Sequence, residues 1–277
     1  MLVIFMNLTF WNIGRRCATV RLADTQPTVD LSDVTFITPF ALLYLGMFLR
    51  SFNAQGKSFV VKLPQEQKVM DYLTRQQFWD RFNFDADKGT MGGIQWRPTL
   101  TSLNDIVDLD RRIPNLAEGL AYEVTQILAA NAVALPVIPI EEVVAELVQN
   151  FVDHAGKQIA AFMVQYYPRI HTFSIAIGDC GQGIRARLSS QPQYAFLRKR
   201  PHREAVMEAF QYGVSAKPQG GAGFSTILEG VETLEGELRL ATGDEYVIAS
   251  KGKRRAGPMG FPLSGVQVEL VFQVPNT

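Results

Sequence analysis

The sequence predicts a two-domain α/β protein, and three observations carry that prediction. The chain has 277 residues, 47% of them hydrophobic, which is enough apolar surface to fill sizeable cores. Between Val34 and Leu63, runs of strand, helix and strand character follow one another at the spacing of a βαβ unit. From Glu141 onward a helix-period stretch, an alternating strand and a glycine-rich turn that opens another helix succeed one another. The division is placed near residue 100, giving domains over 1–100 and 101–277.

In the first domain, MLVIFMNLTFWNIGRR is apolar, but its hydrophobic part precedes its basic residues, Asn7 and Asn12 interrupt it, and a small-residue cleavage site is missing. It is therefore expected to be a first strand rather than a signal peptide. A strand over Val34 to Ile37, a turn at Pro39, an apolar helix over Phe40 to Phe52, a break at Gly56 and a strand over Ser58 to Leu63 then predict one βαβ unit with a right-handed crossover. QEQKVMDYLTRQQFWDRF predicts a second helix with Val69, Tyr72, Leu73 and Phe78 on its apolar face. Residues 84–104 carry Gly89, Gly92, Gly93 and Pro98 and read as a linker or a hairpin.

The second domain opens on NDIVDLDRRIPNLAEGLAYEVTQILAANA, helical in pattern, with Asn104 or Asp105 as N-cap. Pro136 and Pro139 set off a short apolar stretch. In EEVVAELVQNFVDHA, Val143, Val144, Leu147, Val148, Phe151 and Val152 form a core-facing stripe, so Glu146, Asn150 and Asp153 share the opposite face. An acid, an amide and a second acid in a row can hold a metal and a water. HTFSIAIGDCGQGI alternates like a strand and ends in Asp179, Gly181 and Gly183, leaving an acid at the strand end beside backbone that can approach a ligand closely. Gly220, Gly221 and Gly223 then lead through Ser225 and Thr226 into the helical pattern ILEGVETLEG, a glycine-rich turn suited to phosphate. Finally, Lys251, Lys253, Arg254 and Arg255 lie between the strands EYVIAS and VQVELVFQV and are expected in a hairpin loop.

Composition narrows the functional classes. Lys plus Arg equals Asp plus Glu at 27 each, so no overall basic field suggests nucleic acid. Cys17 and Cys180 lack metal-ligand or paired spacing, which argues against a zinc site or a disulfide framework and fits a reducing cytoplasm. No run of about 18 apolar residues predicts a membrane span. His171 and His202 have no metal-ligand spacing, and His154 reads as structural.

The segments around Glu146, Asp179 and Gly220, in that order, resemble the three motifs of the GHKL ATPases (DNA gyrase B, the heat-shock-90 chaperones, sensor histidine kinases and MutL), over about residues 105–275. The resemblance implies an α+β sandwich, a mixed sheet with helices on one face, binding ATP and Mg²⁺ under a lid formed by the segment between the two glycine motifs. It implies that Asp179 accepts the adenine amino group, that Asn150 ligates Mg²⁺ through its amide oxygen, and that Glu146 is the general base or completes the metal's water network. Asp153 would reach the ribose or adenine through water. Gly181 and Gly183 would shape the adenine loop, Lys217, Gly220, Gly221 and Gly223 would meet phosphate, and Ser225 and Thr226 would donate hydroxyls to phosphate or cap the helix. In the lid, Arg198, Lys199, Arg200 and Arg203 read as a solvated face or as cations for the triphosphate.

Residues 1–100 resemble a STAS domain, the fold of anti-sigma factor antagonists, with Thr38 at the position of their phosphorylated serine. That implies a protein partner and leaves a homodimer open. Three functions stand as alternatives: a Mg²⁺-dependent ATPase or ATP-driven switch, a Ser/Thr kinase resembling the anti-sigma factor kinases, and a non-catalytic ATP-binding scaffold. The stretch over about residues 104–130 has no histidine, which disfavours a self-contained histidine kinase.

Overall fold

The computed structural model describes residues 6–82, 107–109, 113–154, 160–211, 213–214 and 223–275. Within them the fold is α+β, organised on a five-stranded antiparallel sheet. The chain begins with β1 (Asn7–Leu8), α1 (Ile13–Ala18), β2 (Thr28–Asp30), β3 (Phe36–Ile37), α2 (Pro39–Asn53), β4 (Val60–Lys62), α3 (Gln67–Arg75) and α4 (Phe78–Arg81). It continues with β5 (Val107–Leu109), α5 (Leu116–Ala130), α6 (Val137–His154), β6 (Ala160–Tyr167), β7 (Thr172–Gly178) and α7 (Gly183–Leu188). After a 3₁₀ segment, Pro192–Lys199, come α8 (His202–Ala209), α9 (Gly223–Thr233), β8 (Glu237–Ser250) and β9 (Lys253–Gln273).

The sheet order is β5-β6-β7-β9-β8, and every described pairing is antiparallel, where a mixed sheet was expected. Short links impose this for two of the four pairings: a single 3₁₀ turn at Pro168–Ile170 joins β6 to β7, and Lys251 and Gly252 alone join β8 to β9. Helices also cover both faces instead of one. Period-two alternation sends Phe162, Val164, Phe173, Ile175 and Ile177 into a core shared with α5, α6 and α9. It sends Ala161, Met163 and Ala176 into a second core with α1 and α2. The N-terminal residues thus build their core directly on the sheet.

Several local expectations are corrected. β3 pairs with β1 and β4 with β2, both parallel, in two separate two-stranded sheets, so strand, helix and strand over 34–63 do not form one βαβ unit. α2 is buried along nearly its whole length; it lies in the connection between the parallel strands β2 and β4 and also packs on β7 and β9. The N-terminal run shortens to a two-residue strand followed by α1. α3 and α4 are two helices because Gln77 takes a left-handed conformation, φ 50°. Val107–Leu109 is a strand paired with β6; the helix starts only after Pro114. Pro139 is inside the first turn of α6, where a missing N–H costs nothing. Lys253, Arg254 and Arg255 are paired in β9, and of the predicted loop only Lys251 remains in the turn. The linker over 84–104 lies outside the described residues.

Thr38 is the N-cap of α2: its hydroxyl accepts a hydrogen bond from the Ala41 N–H at 3.3 Å, with Pro39 in the first turn. Among the described residues, no helix is long and apolar enough to cross a membrane.

Between the sheet and residues 10–11 sits a buried ion-pair network. Arg239 Nη1 donates to Glu269 Oε2 at 2.8 Å and Arg239 Nε to Glu237 Oε1 at 2.6 Å, while Ser174 Oγ donates to Glu269 Oε1 at 3.1 Å. The guanidinium also lies 5.7 Å from the ring centroids of both Phe10 and Trp11. Removing one partner leaves an uncompensated buried charge. Arg239→Met should therefore lower unfolding free energy by about 3 kcal/mol or more in urea titrations, with most of it recovered in the Arg239→Met/Glu269→Leu double variant.

Candidate nucleotide site

Asp179 follows the last residue of β7, where the chain leaves the sheet for α7. Its N–H donates to the Val266 carbonyl at 3.0 Å, which extends the β7–β9 ladder by one rung. The side chain is 5% exposed, and its Oδ1 accepts the Gly181 N–H at 2.5 Å. Burial pushes this carboxyl up from 3.8 to about 6, against the opposing pull of backbone hydrogen bonds from Gly181 and Val266 and of the Arg187 charge. At neutral pH a buried, largely ionised carboxylate therefore stands at the sheet end.

That placement depends on residues the sequence reading did not single out. Gly265 has φ +89°, and a Cβ there would overlap the Asp179 carbonyl and crowd its carboxylate. The Gln267 amide, 1% exposed, donates to the Asp179 carbonyl at 2.9 Å and to the Ser264 carbonyl at 3.2 Å. Thr242, also 1% exposed, donates to the Gly265 carbonyl at 2.8 Å. Its hydroxyl would lie 2.9 Å from a Cβ on Gly183, so Gly183 packs closely on the same group. The one available sequence signal was the glycine in PLSGVQVELVF, directly before an alternating run.

On α6, the predicted row resolves into two pairs. Asn150 is 5% exposed, and its Nδ2 donates both to the Glu146 carbonyl and to Glu146 Oε1, each at 2.9 Å. Those bonds use the amide's hydrogens, and Oδ1 remains as the acceptor outside them. Asp153 is exposed and takes a hydrogen bond at 2.7 Å from Gln149. A cavity of about 420 Å³ at the start of α5 is lined in part by Asn115, Glu118, Gln149, Val152 and Asp153. Glu146, Asn150 and Asp179 are not among its lining residues.

α6 packs on α9, where Val143 closes on Gly230. Gly223 begins α9 with φ +51°, Ser225 is half-buried and Thr226 exposed in its first turn. Lys217, Gly220 and Gly221 lie outside the described residues, as does the His154 side chain. The predicted lid is built from α7, the 3₁₀ segment and α8. Three of its cations are engaged within the protein: Arg198 Nε donates to the Ser189 carbonyl at 3.1 Å, Arg200 lies 3.7 Å from Glu204, and Arg203 pairs with Glu245. Among the described residues, no group of three or more His, Cys, Asp or Glu side chains is placed to hold a metal. Both cysteines are buried and free.

Comparison with protein-family models, curated proteins and solved structures returns no match to this chain.

The Asp179 carboxyl carries a stability consequence. Because its folded pKa is raised, the folded state binds more protons than the unfolded state between about pH 4 and 6, so this group's contribution falls as pH rises through that window. Above it the protein carries a cost of about 3 kcal/mol. Asp179→Asn should thus be more stable than the parent at pH 7 by an amount of that order, and the two should converge near pH 4. Denaturant unfolding across pH 4–7.5 measures this.

Proposed function

We propose that this chain binds ATP with Mg²⁺ and acts as an ATP-driven switch or ATPase that controls a protein partner. The observation that carries the reading is Asp179: a carboxylate held ionised in a buried place, against a cost in stability, beside a turn where side chains would collide. Such an acceptor suits a neutral amino group on a flat heterocycle, which a guanine carbonyl cannot supply. The GHKL resemblance stated from the sequence supports the same assignment, and the antiparallel sheet with α5, α6 and α9 on one face is compatible with it.

In this reading each residue has a defined task. Asp179 accepts the adenine amino group, and Gly181 and Gly183 keep that wall thin. The Glu146 carboxylate orients the Asn150 amide by accepting its N–H, so Asn150 Oδ1 would be the protein's oxygen ligand to Mg²⁺. The ion would neutralise phosphate charge. Glu146 then accepts a proton from the attacking water. The N-terminal half, resembling a STAS domain, provides the partner surface. Phosphoryl transfer to a protein would use the same groups with a hydroxyl in place of water.

Calorimetry with ATP, ADP and GTP, with and without Mg²⁺, followed by phosphate release, tests the proposal. Asn150→Ala should lose the Mg²⁺ dependence, and Glu146→Ala should bind ATP yet release phosphate at least about 100-fold more slowly. ATP affinity should fall about tenfold between pH 7 and pH 5 as Asp179 protonates, because the acceptor then becomes a donor. No binding at millimolar ATP would overturn the reading, while label appearing on a co-purified protein would favour the kinase.

A further inference from the structure

The residue between Asp179 and Gly181 packs into the core shared with α1 and α2. Cys180 is 7% exposed, and its Sγ lies 3.3 Å from the Met47 carbonyl, to which it donates, and 3.4 Å from the Met47 sulfur. Met47 is fully buried in the middle of α2. On the other side of Asp179, Gly178 lacks a Cβ where one would lie 3.2 Å from the Gln267 side chain and 3.6 Å from Met47. Gln267 in turn holds the Asp179 carbonyl. Asp179 is therefore flanked, before and behind, by residues that rest on α2 or on the glutamine beside it.

We infer that α2 of the N-terminal half sets the position of the adenine-reading carboxylate, with Met47, Cys180 and Gln267 as the positioning residues. The inference rests on the nucleotide reading of Asp179. The physical basis is close packing: a Cβ at Gly265 would overlap Asp179, and Met47 lies directly against Cys180, 3.3 Å and 3.4 Å from its sulfur. A displacement of α2 is then transmitted to the carboxylate instead of being absorbed. Because Cys180 and Asp179 are consecutive, the coupling is one residue long. Any partner that shifts α2 would alter adenine recognition, and nucleotide binding would by reciprocity alter the affinity for that partner.

The test is the ratio of ATP to GTP affinity, measured by calorimetry on the full chain. It reports adenine reading in the folded molecules and is insensitive to the fraction unfolded. Met47→Ala should lower the ratio about fivefold or more, and Cys180→Ala should do the same through the other member of the contact, which serves if Met47→Ala fails to fold. Met47→Leu, which conserves volume, should restore the parent ratio. Leu45→Ala, a comparable truncation at another buried position of α2, should leave it unchanged. A parent that selects ATP, with folded Met47→Ala or Cys180→Ala showing the same ratio, overturns this inference and leaves the nucleotide reading standing. A drop in Leu45→Ala equal to that in Met47→Ala also overturns it, since the effect would then be general loosening. A parent that binds neither nucleotide overturns both.

Discussion

At the end of β7 a carboxyl is kept out of water, and the surrounding structure is arranged to tolerate it. The Gly181 amide donates to it, the Val266 carbonyl holds its backbone, and the positive-φ turn at Gly265 withdraws the Cβ that would displace it. Buried carboxylates are costly unless hydrogen-bonded, and even then Asp179 is displaced upward from its ordinary range. Its position also explains why Thr242, Gly265 and Gln267, far away in sequence, form one buried polar cluster behind it.

The sheet supplies the frame for that cluster. Its two faces carry two cores, one with α5, α6 and α9 and the other with α1 and α2. At the sheet end Cys180, next to Asp179, packs on Met47 of α2 and so joins the second of these cores. The Arg239–Glu269 network, capped by Phe10 and Trp11, secures the N-terminal residues to the same sheet at a second point. The N-terminal layer thus meets the sheet both through Met47 against Cys180 and through the cation–π contacts of Arg239 with Phe10 and Trp11.

The acidic and amide groups on α6 follow a simpler logic. A four-residue step puts Glu146 and Asn150 one above the other, so the glutamate satisfies the amide's hydrogens and fixes which way its oxygen points. Asp153, at the next step, has turned far enough around the helix to bond Gln149 at the exposed edge. The three residues share a face as a pattern, but only two of them act as a unit.

Much of this was legible in the chain. The 3.6-residue apolar stripe of α6, the alternation of β7, the glycine-rich start of α9 and the α2 helix are all local patterns, and local backbone preference with one buried face suffices to determine them. The Glu146–Asn150 pair and the Asp179 turn were visible for the same reason. What lay beyond reach depends on pairing between distant segments. Only the tertiary structure decides that Val107–Leu109 becomes a strand, since β6 supplies its partner. It likewise decides that β3 and β4 join different sheets and that α2, lying in the chain between the parallel β2 and β4, covers the back of the large sheet. Gly265 and Gln267 carry no periodic signature of their own. Their roles exist because β9 runs antiparallel to β7 in a register that brings Gln267 opposite Gly178, and register is a property of the assembled sheet.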